Sequence, residues 1–320
     1  MTELRQPELR RLGATDFHIL PLVLGGNVFG WTADRGASFA VLDAFVDGGG
    51  TMIDTADVYS RWVPGNQGGE SETMIGAWLK ASGKREKVLI ATKVGMMPVE
   101  SGSPLSRAAI VAGCEASLKR LGVDTIDLYY AHKDDTDAAL DEVAEAFASL
   151  VKAGKVRALG ASNFHAMRLK AAVDTARAAG IPHFQVLQPE YNLVSRHHFE
   201  GQLQDYCVEH NIGAVPYYGL ASGFLTGKYR SADDMKKSAR GGGMADLITQ
   251  KSGVLAAMDG VAAETGATLA QIALAWLAAQ PGVVAPIASA TSVAQVEDLL
   301  GATRLVLSAE QLDRLNDAGA

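Results

Sequence analysis

The sequence has little cysteine, no long hydrophobic run and no block of basic residues, and each absence excludes a class of protein. Two cysteines, Cys114 and Cys207, lie far apart in 320 residues, so neither a disulfide framework nor a cysteine-based zinc site is encoded. The longest clean apolar run, residues 272–279, is much shorter than the roughly 20 residues of a transmembrane helix. The net charge of −7 disfavours nucleic acid as a partner, because phosphate binding needs clustered basic side chains.

The composition is otherwise that of a folded protein in one piece. Hydrophobic residues make up 48% and charged residues 20%, which argues against disorder. Residues 1–11 are charged and have no apolar core of the kind that secretory signals carry, so we expect a soluble, cytoplasmic protein. No linker rich in proline or serine divides the chain, and we therefore predict a single domain over residues 1–320.

Short β-branched runs alternate with longer alanine-rich stretches along the chain. Because the runs are apolar at consecutive positions, they fit strands that are buried on both faces. Eight alternations predict an α/β protein with a closed (β/α)8 TIM barrel. The rival, a doubly wound open sheet, needs a G-x-G-x-x-G motif, which Gly25, Gly26 and Gly30 do not form. The predicted strands are Pro21–Leu24, Thr51–Ile53, Val88–Thr92, Ile126–Tyr130, Val156–Gly160, Phe184–Leu187, Gly213–Pro216 and Val283–Pro286.

Helix starts and one long irregular segment complete the prediction. Ser71, Ser106 and Thr268 stand where helix N-caps are expected. Residues 219–253 lack a helix or strand pattern and follow the seventh predicted strand, so they lie at the end of the barrel where active sites form. We predict that this long loop covers the site at that end of the barrel.

Polar side chains follow consecutive predicted strands at a regular interval. Asp54 ends the second strand, Lys93 the third and His132 the fourth, and each follows the previous one by 39 residues. Since the carboxyl ends of barrel strands share one face, a carboxylate, an ammonium and an imidazole are expected to converge there. Tyr59 follows Asp54 by five residues on the loop leaving the second strand.

These residue types suit acid–base chemistry at a carbonyl group. A phenol has a pKa of about 10, and a nearby ammonium favours phenolate, so we expect Lys93 to lower the pKa of Tyr59. A hydride for the carbonyl carbon would have to come from a cofactor. Taken alone, Asp54 also fits a helix N-cap, Lys93 also fits a Schiff-base aldolase, and His132 also fits a core histidine.

Several segments resemble the aldo-keto reductases, in particular the subgroup that includes the β subunits of voltage-gated potassium channels. The similarity spans about Leu9 to Leu315. The segments are DTADVY (Asp54–Tyr59), ATKVG (Ala91–Gly95), LYYAH (Leu128–His132), GASNF (Gly160–Phe164), QPEYN (Gln188–Asn192) and GFLTGKY (Gly223–Tyr229). The resemblance implies a catalytic tetrad of Asp54, Tyr59, Lys93 and His132, in which Tyr59 is the general acid for NADPH-dependent reduction of an aldehyde or ketone.

The resemblance also implies the cofactor contacts. Ser162, Asn163 and Gln188 would hold the nicotinamide carboxamide, and Tyr217 would stack on the ring, although a slip of one residue would present Tyr218 instead. The implied contacts to the rest of the nucleotide are Leu220, Ser222, Gly223, Lys228, Arg240, Ser289, Thr291, Gln295 and Asp298.

The sequence also departs from the family pattern. Tyr218-Gly219 replaces a Ser-Pro pair, and Leu299 replaces an asparagine. Ala288 and Gln295 offer no charge for the 2′-phosphate of NADPH, so Lys228 or Arg240 would have to supply it; NADH is the alternative cofactor.

The substrate and the partners are less constrained. Asn27, Trp31, Trp62 and Met96 are candidate substrate contacts, although apolar residues on these loops fit packing equally well. Because the chain ends soon after its last predicted helix, we expect a relatively open pocket. The expected partner is a small carbonyl compound, with no metal, nucleic acid or membrane. A nucleotide-sensing regulatory subunit with vestigial turnover is the alternative function.

Overall fold

The computed structural model of the protein describes residues 6–99, 102–237 and 244–320. Two strands, β1 and β2, form an antiparallel hairpin, and eight parallel strands form one sheet in the order β10-β3-β4-β5-β6-β7-β8-β9. This order confirms the predicted (β/α)8 barrel. The strands are β1 Arg10–Arg11, β2 His18–Ile19, β3 Val23–Gly25, β4 Met52–Asp54, β5 Leu89–Val94, β6 Ile126–Ala131, β7 Val156–Ser162, β8 Val186–Gln188, β9 Gly213–Ala214 and β10 Ile287–Ala288.

The barrel closes through the chain that leads into β10. The backbone N–H of Val284 donates to the carbonyl of Ala214 in β9 at 2.8 Å, and Val23 donates to the carbonyl of Pro286 at 2.9 Å. The predicted eighth strand, Val283–Pro286, was therefore placed too early, because the regular pairing with β3 lies at β10. The residues just before β10 form hydrogen bonds with β9 instead, so one segment joins both edges of the sheet.

The barrel interior is a closely packed apolar layer plugged at its amino-terminal end. Alternate residues of the strands point inward, and the β1–β2 hairpin adds buried Leu12, Phe17 and Ile19 to the same cluster. The sequence pattern did not predict this hairpin. Because the amino-terminal end is filled with side chains, the cavity for a ligand is confined to the carboxyl ends of the strands.

Helices surround the sheet and pack against its outer face. Ser106 and Thr268 cap their helices as predicted, whereas Ser71 lies inside α2 and its hydroxyl donates to the carbonyl of Gly26 at 2.7 Å. The helices are α1 Arg35–Asp47, α2 Glu70–Ser82, α3 Arg107–Leu121, α4 Leu140–Lys152, α5 Ala166–Ala178, α6 Gln202–Glu209, α7 Ala245–Gln250, α8 Ser252–Thr265, α9 Leu269–Ala278, α10 Val293–Gly301 and α11 Ala309–Gly319.

The segment 219–253 is more regular than predicted. It contains two 3₁₀ helices, Ala221–Thr226 and Ala232–Lys237, then α7 and the start of α8. In the described part of the chain no single helix has the length and hydropathy of a membrane span, and only the pair α8 and α9, bent by 97°, reaches them by length and composition.

Candidate active site

The four residues of the predicted tetrad meet at the carboxyl ends of three neighbouring strands. Asp54 ends β4, Lys93 lies in β5, and His132 directly follows β6. Tyr59 lies on the loop after β4. Asp54 is 2% exposed and Lys93 is fully buried, so this group of charges lies almost entirely out of water.

Lys93 is the centre of the group. Its ammonium donates to Asp54 Oδ2 at 2.5 Å, to the carbonyl of Thr55 at 2.8 Å and to the hydroxyl oxygen of Tyr59 at 2.8 Å. An ammonium has three donors, and all of them are used here. A Schiff base requires a free amine that can reach a substrate, so this geometry disfavours the aldolase alternative and favours a role for Lys93 as a cation.

Burial, rather than the ammonium, decides the protonation of Tyr59. Burial raises the pKa of the Tyr59 phenol well above its usual value, and the Asp54 charge raises it further. Burial also lowers the pKa of Lys93, against the opposing effect of Asp54. The expectation that Lys93 lowers the pKa of Tyr59 in the resting site was therefore wrong. The phenol keeps its proton at neutral pH, which is the state that a general acid needs.

His132 is present as a neutral imidazole. Burial and the charge of Lys93 lower its pKa well below the usual value. Its Nδ1 has no hydrogen-bond partner among the described residues. The imidazole ring lies edge-on to the ring of Tyr59, with centroids 5.9 Å apart. A neutral imidazole beside the phenol can form a hydrogen bond to a substrate oxygen without adding charge to the site.

Asn163 joins the tetrad to the next strands of the barrel. Its side-chain amide donates to the carbonyl of His132 at 2.9 Å, and its Oδ1 accepts from the hydroxyl of Tyr217 at 2.7 Å. The backbone of Asn163 has a φ of +57°, in the left-handed region that asparagine tolerates better than most residues. Asn163 also lines the cavity above the tetrad.

Gln188 contacts the tetrad directly. Its side-chain amide donates to Asp54 Oδ1 at 2.9 Å, and its backbone carbonyl accepts from the hydroxyl of Ser162 at 2.8 Å. Asp54 therefore shares its two oxygens between Lys93 and Gln188. The predicted amide pair of Asn163 and Gln188 consequently lies beside the acid–base group, with Ser162 between them.

A cavity of about 790 Å³ opens above these side chains. Lys93 lies behind Tyr59, outside the lining. Trp31 is also absent from the lining and packs against Trp62 with ring centroids 5.6 Å apart. Arg240 lies outside the described residues. The predicted residues that line the cavity are Asp54, Tyr59, His132, Ser162, Asn163, Gln188, Tyr217, Leu220, Ser222, Gly223, Lys228, Ser289, Thr291, Gln295, Asp298, Asn27, Trp62 and Met96.

One wall of the cavity is a strained turn within the long segment after β9. Tyr218, Ala221 and Ser222 have φ values of +58°, +46° and +55°, which non-glycine residues adopt rarely. The adjacent Gly223 has a φ of +97°, a conformation that glycine adopts without the strain it causes in other residues. Strained backbone of this kind is concentrated at ligand-binding sites.

The neighbouring tyrosines Tyr217 and Tyr218 both line the cavity, so the structure brings both residues of the ambiguous pair to the site. Only Tyr217 donates to Asn163, while the side chain of Tyr218 is 50% exposed at the cavity mouth. Of the two tyrosines, Tyr217 is therefore the one that is connected to the tetrad through Asn163.

The far end of the cavity is polar and lies between β10 and the helices α9 and α10. Ser289 donates to Asn27 Oδ1 at 2.6 Å. Asn27 lies on the loop after β3, and this hydrogen bond places its side chain at the far end of the cavity. Asp298 accepts from Thr268 at 2.8 Å. Sequence patterns identified Thr268 only as a helix cap and missed its place in the lining. The other missed lining residues include Val28, Thr32, Leu269 and Ala270, which no motif marked, and Thr226, which lies in the GFLTGKY segment but was not predicted as a contact.

The shape and donors of the cavity fit an elongated nucleotide. Its volume lies within the usual range of about 300–1,000 Å³ for small-molecule sites. The amide pair lies at one end, the hydroxyl-rich β10–α10 region lies at the other, and Lys228 is the one Lys or Arg among the described lining residues. No group of three His, Cys, Asp or Glu side chains in the described ranges is arranged to hold a metal ion.

Comparisons with known proteins cover the whole site. The model of the Aldo/keto reductase family matches residues 21–320. An uncharacterized oxidoreductase of Bacillus subtilis is 34% identical over 97% of this chain and 95% of its own length. A probable voltage-gated potassium channel subunit beta of Arabidopsis thaliana is 30% identical over 93% of this chain and 92% of its own length. An aldo-keto reductase of Schizosaccharomyces pombe, whose name specifies NADP(+), is 31% identical over 88% and 82%.

Proposed function

Because the chain belongs to the aldo/keto reductase family, we propose that it is an NADPH-dependent oxidoreductase that reduces an aldehyde or ketone to the alcohol, with Tyr59 as the general acid. The observation that carries this proposal is the hydrogen bond of 2.8 Å between the Lys93 ammonium and the Tyr59 hydroxyl at the base of the cavity. This contact lets one buried cation act on the oxygen that loses a proton.

In the proposed reaction Tyr59 donates its proton to the carbonyl oxygen of the substrate. Lys93 stabilises the phenolate that remains, and Asp54 balances the charge of Lys93. The neutral His132 offers a hydrogen bond to the same substrate oxygen. When bound, the dihydronicotinamide supplies the hydride for the carbonyl carbon.

The cofactor would lie along the cavity from the amide pair to the β10–α10 end. Asn163, Gln188 and Ser162 would bind the carboxamide, and Tyr217 would pack on the ring. The strained turn at Ser222 would face the diphosphate, near Lys228. The implied contacts at the adenosine end are Ser289, Thr291, Gln295 and Asp298.

NADPH is preferred over NADH in this proposal because a relative carries NADP(+) in its name. Lys228 provides a cation in the described lining, which would contact the diphosphate of either cofactor. At the β10–α10 end of the cavity, the side-chain oxygen of Gln295 accepts a hydrogen bond from the backbone N–H of Thr291 at 2.8 Å.

The test is steady-state oxidation of NADPH by the full chain with a panel of aliphatic and aromatic aldehydes and ketones. The proposal expects turnover with at least one of them, and a higher kcat/KM with NADPH than with NADH. Tight binding of NADPH with negligible turnover on every substrate would instead favour a nucleotide-sensing regulatory subunit. This second candidate function is retained because two relatives are named as probable voltage-gated potassium channel beta subunits.

A further inference from the structure

A second group of charged side chains lies buried behind the tetrad, between the barrel wall and helices α2 and α3. Glu72 of α2 is fully buried. It accepts from Arg120 Nε of α3 at 2.6 Å and from the hydroxyl of Thr92 in β5 at 2.6 Å. We call Asp57, Glu72, Thr92 and Arg120 the outer cluster. The proposed reaction does not use any of its members.

Asp57 is the unusual member of the outer cluster. It is 4% exposed, and its Oδ1 has no hydrogen-bond partner in the described part of the chain. Burial and the charge of Glu72 raise its pKa to about 7, against the opposing charges of Arg120 and Lys93. The hydroxyl of Tyr129 in β6 faces the same region. Two carboxyl groups thus face a single guanidinium, which leaves Asp57 without an ion-pair partner of its own.

The outer cluster is connected to the tetrad through the strand β5. Thr92 and Lys93 are consecutive, so their side chains point to opposite faces of the barrel wall. The backbone N–H of Asp57 donates to the carbonyl of Lys93 at 3.2 Å. The charges of Asp57 and Glu72 both favour the protonated form of Lys93. Asp57 also precedes Tyr59 by only two residues on the same loop.

A glycine leaves room for this arrangement. Gly69 precedes α2 with a φ of +84°, and a Cβ atom there would stand 2.4 Å from Arg120 Cδ. The chain therefore passes directly over the Arg120 side chain. The absence of a Cβ atom at Gly69 leaves space for the Arg120 side chain, whose Nε donates to Glu72.

We propose that Asp57 is a positioning residue of the proposed reductase, whose buried charge holds Lys93 as an ammonium and so sets the pH range in which Lys93 and Tyr59 deliver a proton. Asp57 touches neither substrate nor cofactor in this role and acts through Lys93. The inference rests on the proposed function for its catalytic consequence, but the buried charge itself is a property of the folded chain.

The buried charge is tested by thermal unfolding of the full chain at several pH values. A carboxyl group whose pKa is raised in the folded state destabilises the fold as pH rises through the window between its unfolded and folded pKa values. The Tm of the wild-type protein relative to Asp57→Asn should therefore fall by about 2 °C or more from about pH 5 to about pH 8. The control Asp124→Asn, at an exposed site, should show no such trend.

A second variant distinguishes an effect of the Asp57 charge on stability from an effect of lost packing. Glu72→Gln keeps Asp57 and removes the neighbouring charge that raises its pKa, so the fall in Tm with pH should become smaller. A difference between wild type and Asp57→Asn that stays constant across the pH range would overturn the proposal, because a merely structural contact does not titrate.

The link to catalysis is tested by the pH dependence of kcat for carbonyl reduction. Asp57→Asn should move the loss of activity at high pH downward by about 0.5 pH units or more, because removal of a negative charge favours deprotonation of Lys93 and Tyr59. KM should change little. Superimposable profiles would overturn the link. A wild-type chain without turnover would contradict the reductase, whereas the Tm series would still decide whether Asp57 carries a buried charge.

Discussion

Tyr59 and Lys93 share a buried hydrogen bond, and burial moves their pKa values in opposite directions. The phenol holds its proton more tightly, and the ammonium holds its proton less tightly. Because the two groups are in contact, a proton that leaves Tyr59 creates a phenolate beside a cation already in place. In the proposed reaction the site is therefore arranged for the charge that develops during proton donation rather than for the resting state.

The role of Tyr59 is tested by Tyr59→Phe. Loss of the hydroxyl should lower kcat by at least about 10²-fold, the scale of a lost general acid, while NADPH affinity stays close to that of the wild type. Steady-state kinetics and a fluorescence titration of NADPH measure the two effects. The matched control is Tyr218→Phe, since that tyrosine lines the same cavity without touching Lys93. Equal losses in both variants would contradict a specific role for Tyr59.

His132 should make stability depend on pH. Its pKa is lowered in the folded state, so the unfolded chain binds the extra proton as pH falls below about 6.5. Relative to His132→Gln, the wild type should lose up to about 1.4 kcal/mol of unfolding free energy per pH unit between pH 7 and pH 5. Urea denaturation at several pH values measures this. His198→Gln, at an exposed position, serves as control, and an equal slope for both variants would count against a buried neutral His132.

The sequence predicted the tetrad residues but not their environment. Asp54, Lys93 and His132 were predicted because each stands at the carboxyl end of a strand. In a barrel these ends lie at one face, so equal spacing along the chain brings the three side chains together. Asp57 and Arg120 were missed because the outer cluster depends on how α2 and α3 pack outside the barrel. The direction of the Tyr59 pKa was predicted wrongly for a related reason, since sequence does not give the depth of burial.

Helices α2 and α3 cross very closely at Gly76. A Cβ atom on Gly76 would stand 2.3 Å from the carbonyl oxygen of Arg120, which cannot move without shifting α3. Gly76→Ala should therefore destabilise the fold by about 1–3 kcal/mol. Gly260→Ala in α8, where a Cβ atom would meet nothing within 4 Å, should instead stabilise it by about 0.5–1 kcal/mol. Urea unfolding of the two variants measures both values, and destabilisation by both would refute the argument from local space.

Element boundaries were predicted well where a cap or a turn marks them. Ser106 and Thr268 cap their helices as predicted. Helix α8 was missed because Lys251 precedes it without a side-chain cap and because Gly253 and Gly260 lie within it. The eighth strand was predicted a few residues too early because two consecutive short stretches pair with different neighbours. The periodicity of the sequence does not show with which neighbour a stretch pairs.

At the scale of the whole molecule, cofactor binding should stabilise the fold. A ligand that binds only the folded chain adds about 2.7 kcal/mol at 100 times its Kd. NADPH should therefore raise Tm in a concentration-dependent way in a thermal shift assay, and NADH should need a higher concentration for the same rise. ATP, which lacks the nicotinamide, is the control. A flat Tm with millimolar NADPH would contradict the proposed occupant of the cavity.

The barrel as a whole was predictable because strand and helix patterns alternate eight times, whereas the cavity lining was not. Lining residues such as Val28 and Leu269 belong to loops and helix starts that meet only after the barrel closes. Motifs identify side chains that do chemistry or bind polar groups, but an apolar wall has no distinctive sequence.

The strands of the barrel differ in length from one side to the other. Strands β5, β6 and β7 have six, six and seven residues, while β8, β9 and β10 have three, two and two. Lys93 and His132 are mounted on the long-strand side, whereas Gln188, Tyr217 and Ser289 follow short strands. Few hydrogen bonds resist small outward shifts of the short-strand side. We therefore expect the residues at the ends of β5, β6 and β7 to be held more rigidly than the cavity lining that follows β8, β9 and β10.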